Sequence, residues 1–110
     1  RELGFGLPPA DFTGTNWHMF QVALPLERLT VDRAGVMAAL QAAGIGSGVH
    51  YPPIHLFAVY RRLGWKAGDF PIAERLGRSL LTLPLFPAMV PADVERVAGE
   101  LTTILRTHRR

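Results

Sequence analysis

The chain has no cysteine and only one lysine. The first absence excludes disulfides and thiolate chemistry, and fits a reducing, cytoplasmic setting. The second is more informative: of the 12 Lys and Arg residues, all but Lys66 are arginine. Lys66 stands in Gly64-Trp65-Lys66-Ala67-Gly68-Asp69, turn-like sequence in which an amine is solvated and protonated. A nucleophilic amine must be deprotonated, which takes a desolvated or cation-flanked site, and this segment offers neither. Long apolar runs are missing too, with none near the ~18 residues of a membrane span. Zinc and calcium spacings are absent, as is a glycine-rich phosphate loop. The opening Arg1-Glu2-Leu3-Gly4 has neither an initiator methionine nor a signal-peptide pattern, so the expectation is a piece of a larger protein.

What remains is enough for one domain. The 110 residues are 48% hydrophobic, so a real core is available. The net charge is +3, yet Arg28, Arg33, Arg61, Arg62, Arg75, Arg78 and Arg96 are scattered. Only the tail Arg106, His108, Arg109, Arg110 is densely basic, so no nucleic-acid partner is expected.

Residues 1–16 are rich in Gly, Pro, Asp and Thr and read as a connector, which places the domain at 17–110. Trp17 to Leu24 reads as a strand with His18, Phe20, Val22 and Leu24 on one face, ended by Pro25. His18 is expected partly buried there. Asp32 caps a helix to about Ala43 with Val36, Met37, Leu40 and Ala43 in its stripe, and Gly44 follows its end. Ile45 to Val49 reads as a short strand interrupted by Gly46 and Gly48. Leu56, Val59, Tyr60 and Leu63 mark a short helix stopped by Gly64. Pro71 opens another, striped by Ile72, Leu76 and Leu80. Leu81 to Leu85 alternates like a strand. Pro91 opens the last helix, with Val94, Val97, Leu101, Ile104 and Leu105 as its buried stripe. This order gives a small α/β sandwich, a sheet with helices mainly on one face.

One stretch concentrates the chemistry: Gly48-Val49-His50-Tyr51-Pro52-Pro53-Ile54-His55. Two imidazoles and a phenol lie in a loop that follows a strand-like run, and flanking glycines admit close approach. Ligands of α/β proteins favour strand ends of this kind. His50 and Tyr51 are the candidate cleft residues, with His55 in support. Arg61 and Arg62 read as a solvated helix face, Asp69 and Glu74 as turn and helix-start residues, and Trp17 and Trp65 as packing residues.

In order and spacing the chain resembles the C-terminal small domain of the DegT/DnrJ/EryC1/StrS aminotransferases. The matching segments are Asn16-Trp17-His18-Met19-Phe20, then Ala43-Gly44-Ile45-Gly46-Ser47-Gly48-Val49-His50-Tyr51-Pro52-Pro53-Ile54-His55. Tyr60 with Leu63-Gly64 follows, then Gly68-Asp69-Phe70-Pro71 with Ala73-Glu74-Arg75. Leu81-Thr82-Leu83-Pro84-Leu85-Phe86-Pro87 and Asp93-Val94 with Val97 complete the set.

The resemblance implies a small, mostly antiparallel sheet, as in the C-terminal domain of fold-type-I pyridoxal-phosphate enzymes. It implies pyridoxal 5'-phosphate as cofactor, a nucleotide-linked keto sugar and an amino-acid donor such as glutamate as substrates, and a cytoplasmic homodimer. It also implies that the Schiff-base lysine and phosphate-binding residues lie in a large domain upstream, so no catalytic residue is assigned within this chain. Two alternatives stay open: a sugar dehydratase or deoxygenase of the same family, and a non-enzymatic interaction or regulatory module.

Overall fold

The computed structural model describes residues 3–110. Strand β1 (Phe20–Ala23) and helix α1 (Arg33–Ala42) come first, then α2 (Ala58–Arg62) and α3 (Pro71–Ser79). Strand β2 (Leu80–Leu83) and the long helix α4 (Pro91–Thr107) complete the chain. Short 3-10 turns occupy Leu26–Arg28 and Ile54–Leu56. This is an α+β domain built on a two-stranded antiparallel sheet, in which Phe20 pairs with Leu83 and Val22 with Leu81.

Single bridges widen the sheet on both sides. Gly6 exchanges two backbone hydrogen bonds of 2.9 Å with Ala23 at the outer edge of β1. Gly48 does the same with Thr82, at 3.0 and 2.9 Å, along the outer edge of β2. The strand expected over Ile45–Val49 is thus reduced to one bridging residue, in keeping with the cost of glycine within a strand. The first strand also begins later than its alternation suggests. Trp17 holds a left-handed φ of 50°, and the side chains of Thr15 and Asn16 accept from the backbone N–H groups of Trp17 and His18. Side-chain bonds of this type favour turns over a ladder. His18 is accordingly exposed, not partly buried.

The pleat sorts the side chains by face. Val22, Leu24 and Leu81 point into the core, where they meet Val36 and Leu40 of α1 and Leu101, Ile104 and Leu105 of α4. Asp32 caps α1, its carboxylate accepting from the Gly35 N–H at 2.9 Å. Arg96 of α4 donates to the Ala43 carbonyl at 2.7 Å, satisfying an orphan acceptor at the end of α1. Arg33 donates to the carbonyls of Gly77 and Leu80, at 2.6 and 3.0 Å, and so ties α1 to the α3–β2 junction.

Two of the expected stripes are not buried. On α3, Ile72 is 66% and Leu76 38% exposed, whereas Glu74 and Gly77 are the residues turned inward. Val59 on α2 and Leu63 just after its end are 58% and 72% exposed. With Ile54, Phe57, Tyr60, Trp65 and Phe70 also exposed, this side of the domain is broadly apolar. A surface of that kind marks a place where something else packs. Val94, expected in the buried stripe of α4, is exposed as well.

Candidate functional site

The face of the sheet opposite the core is polar where the loop from Gly48 crosses it. Gln21 and Thr82 are cross-strand partners, so their side chains stand together on that face. The Gln21 amide donates to the His50 carbonyl at 2.7 Å and to the Thr82 hydroxyl at 3.3 Å. The His50 Nδ1 lies 2.9 Å from the same hydroxyl. Thr82 can donate onward to Nδ1, an arrangement that leaves the proton of the neutral ring on Nε2. The sheet thus fixes both the backbone and the ring of His50.

Gly48 makes this placement possible. A Cβ at residue 48 would stand 2.8 Å from the His50 Cε1, because the imidazole folds back over the glycine. The peptide between His50 and Tyr51 is cis, and the two rings meet edge to face at 5.0 Å. Tyr51 is 69% exposed, which leaves its hydroxyl open to a ligand.

His50 stands between two concavities. One, of about 610 Å³, is bounded by Gly46, Ser47, Thr82, Phe86 and Arg96. The other, of about 530 Å³, is bounded by Tyr51, Pro53, Tyr60, Trp65, Phe70 and Leu76.

His55 lines the second concavity together with His50 and Tyr51. It is buried, with its Nε2 2.9 Å from the Glu74 Oε1. That oxygen also accepts from the Gly68 N–H at 2.7 Å. The His55 bond first, and the Gly68 N–H second, hold the Glu74 carboxyl below the usual range, against the opposing effect of desolvation. The Phe70 ring packs edge to face on the imidazole at 4.9 Å.

Lys66 is exposed and pairs with Asp69 at 3.6 Å. Asp69 also accepts from the Lys66 backbone N–H. This solvated ion pair gives no setting for an imine-forming amine. Arg61 and Arg62 are exposed.

Sequence reasoning missed Gln21 and Thr82 as the supports of His50, and Glu74 as the partner of His55. Alternation along the strands puts Gln21 and Thr82 away from the core, but only their cross-strand register joins them to His50. The His55–Glu74 pair spans 19 residues and two turns, and carries no local signal.

The chain matches the DegT/DnrJ/EryC1/StrS aminotransferase family over residues 4–102. Among solved structures it is similar to S. venezuelae DesV, with 32% identity, a TM-score of 0.78, and coverage of 93% of this chain and 26% of that one. It is similar also to the aminotransferase TlmJ from Streptoalloteichus hindustanus: 28% identity, TM-score 0.75, coverage 94% and 27%. Spr1654 from Streptococcus pneumoniae, described as a sugar aminotransferase, shares the fold in its PMP form at 24% identity, TM-score 0.82 and coverage of 94% and 26%. The same protein is known in a PLP form, so pyridoxal phosphate is its cofactor. The chain spans about a quarter of the length of each.

Proposed function

The chain belongs to the DegT/DnrJ/EryC1/StrS aminotransferase family, and from that premise we propose that it is the C-terminal domain of a pyridoxal-phosphate aminotransferase acting on a nucleotide-linked keto sugar. In this reading residues 17–110 form the small domain, residues 1–16 join it to a large domain, and the whole enzyme is a cytoplasmic homodimer. Its amino donor is an amino acid, glutamate being the leading choice. The exposed stripes of α2 and α3 support the reading: helices that leave Ile72, Leu76 and Val59 in solvent are built to be covered.

Pyridoxal phosphate, when bound, supplies the electrophilic centre and electron sink that the transfer of an amino group needs. The residues described here do not fit an anchoring role for it, since Lys66 is solvated and paired with Asp69. The cofactor's lysine and phosphate contacts then belong to the large domain. What this chain contributes is a wall of the cleft. His50, its Nδ1 occupied by Thr82, offers Nε2 to a sugar hydroxyl or a phosphate oxygen. Tyr51 offers a phenol from the same loop, and the apolar segments around them exclude water.

The observation that carries the role of the loop is the anchoring of His50 at both its carbonyl and its ring by Gln21 and Thr82. A histidine held at both its backbone and its ring is preorganised for a ligand. The test is His50→Ala in the full-length polypeptide that contains this chain, assayed for amination of nucleotide-linked keto sugars. Weaker sugar binding and slower turnover are expected. Unchanged binding and turnover would remove His50 from the cleft.

A further inference from the structure

The hydrogen bonds that tie the loop carrying His50 and Tyr51 to α3 and to the turn before Phe70 converge on a single atom. Glu74 lies in the first turn of α3 and is 8% exposed. Both hydrogen bonds of its side chain end on Oε1, one involving the His55 Nε2 at 2.9 Å and one from the Gly68 N–H at 2.7 Å. The Ile54–Leu56 turn, the turn before Phe70 and helix α3 therefore meet at this oxygen. Phe70 adds an apolar layer, with its ring 4.9 Å from that of His55 and 5.3 Å from that of Trp65.

These are also the segments that bound the cavity of about 530 Å³. His50, Tyr51 and Pro53 of the loop, Trp65 and Phe70 of the turn, and Leu76 and Gly77 of α3 all line it. A buried carboxylate is costly unless its oxygens are bonded, so the three segments cannot drift apart without stranding it. The main core lies elsewhere, around Val22, Leu40, Leu81 and Leu105, and does not fix this spacing.

We propose that Glu74 is a positioning residue for the substrate cleft: through His55 and the Gly68 N–H, it sets the distance between the His50–Tyr51 loop and the Trp65–Phe70 turn. This rests on the reading above, in which His50 and Tyr51 line the cleft. Glu74 does not touch substrate in this account.

Because both bonds use one oxygen, Glu74→Gln keeps an acceptor in the same place, whereas Glu74→Ala removes it. The experiment is crystal structures and steady-state kinetics of the full-length polypeptide with each substitution. In Glu74→Ala, Tyr51 is expected to move by about 1 Å or more relative to β2, and KM for the keto sugar to rise roughly tenfold with kcat within about twofold, since misplacement on this scale is costly. Glu74→Gln is expected to restore both the loop position and KM. An unmoved loop in Glu74→Ala overturns the proposal, as does a Gln variant as impaired as the Ala one. If Glu74→Ala does not fold, His55→Phe breaks the same link while filling the space beside Phe70, and an unmoved loop there is equally decisive. If the wild-type polypeptide aminates no keto sugar, the aminotransferase reading fails, while the loop displacement still decides the role of Glu74.

Discussion

Pro53 rests directly on Gly77: a Cβ at residue 77 would stand 2.5 Å from both the Cδ and the Cγ of the proline ring. The loop that bears His50 and Tyr51 therefore comes down onto α3 at a point where only hydrogen leaves room. A proline ring cannot swing aside as a flexible side chain can.

This contact sets two effects against each other in Gly77→Ala. Alanine inside a helix gains up to about 1 kcal/mol over glycine. Overpacking against a rigid neighbour costs about 1–3 kcal/mol. The expected result is a net loss of stability and a displaced His50–Tyr51 loop, read by denaturant unfolding and by a crystal structure of the variant. A stabilised variant with an unmoved loop would show that the Pro53–Gly77 contact does not hold the loop in place.

Thr82→Val keeps the shape of the β2 side chain but removes the hydroxyl that meets His50 and Gln21. One hydrogen bond of this kind contributes about 1 kcal/mol, so stability should fall by roughly that amount. The larger effect is expected on activity in the full-length polypeptide, a loss of roughly five- to tenfold as the imidazole loses its orientation. Activity equal to that of the wild type would show that Gln21 and the backbone suffice to place His50.

The sequence and the structure agree best where packing decides. Val36 and Leu40 of α1, and Leu101, Ile104 and Leu105 of α4, are in the core as their spacing requires, and the α+β class follows from the order of elements. Agreement ends where tertiary register or backbone chemistry takes over. Glycines reduce the segment before His50 to one bridge at Gly48, and the side chains of Thr15 and Asn16 hold the chain out of β1 until Phe20. The stripe of α3 was legible as apolar, yet periodicity could not show that it faces outward while Glu74 faces in. In the site, the His50 loop stood out by composition alone. Its supports did not, because Gln21, Thr82 and Glu74 reach it across 29, 32 and 19 residues.

The lowered Glu74 carboxyl makes an acid-limb prediction. Its cause is first the hydrogen bond with His55 and then the Gly68 N–H. A carboxyl lowered in the folded state contributes stability that is complete above the ordinary glutamate value of about 4.3. That contribution disappears as pH falls through the lower folded-state value. Asp11 is lowered in the same direction by the Gly14 and Thr13 N–H groups, so the wild-type curve alone does not isolate Glu74. Urea unfolding from pH 6 downward, compared between the wild type and Glu74→Gln, does. Stability of the wild type should fall more steeply in acid than that of the variant. Parallel curves would remove Glu74 from the acid response.

The central claim is that this domain walls a pyridoxal-phosphate site whose lysine lies outside these residues. Its most direct test is to add pyridoxal phosphate to the full-length polypeptide, reduce with borohydride, and locate the modified lysine by mass spectrometry. The account predicts a stoichiometric label on one lysine of the large domain and none on Lys66, which is solvated and paired with Asp69. A stoichiometric label on Lys66, or no specific label anywhere in the polypeptide, would contradict it.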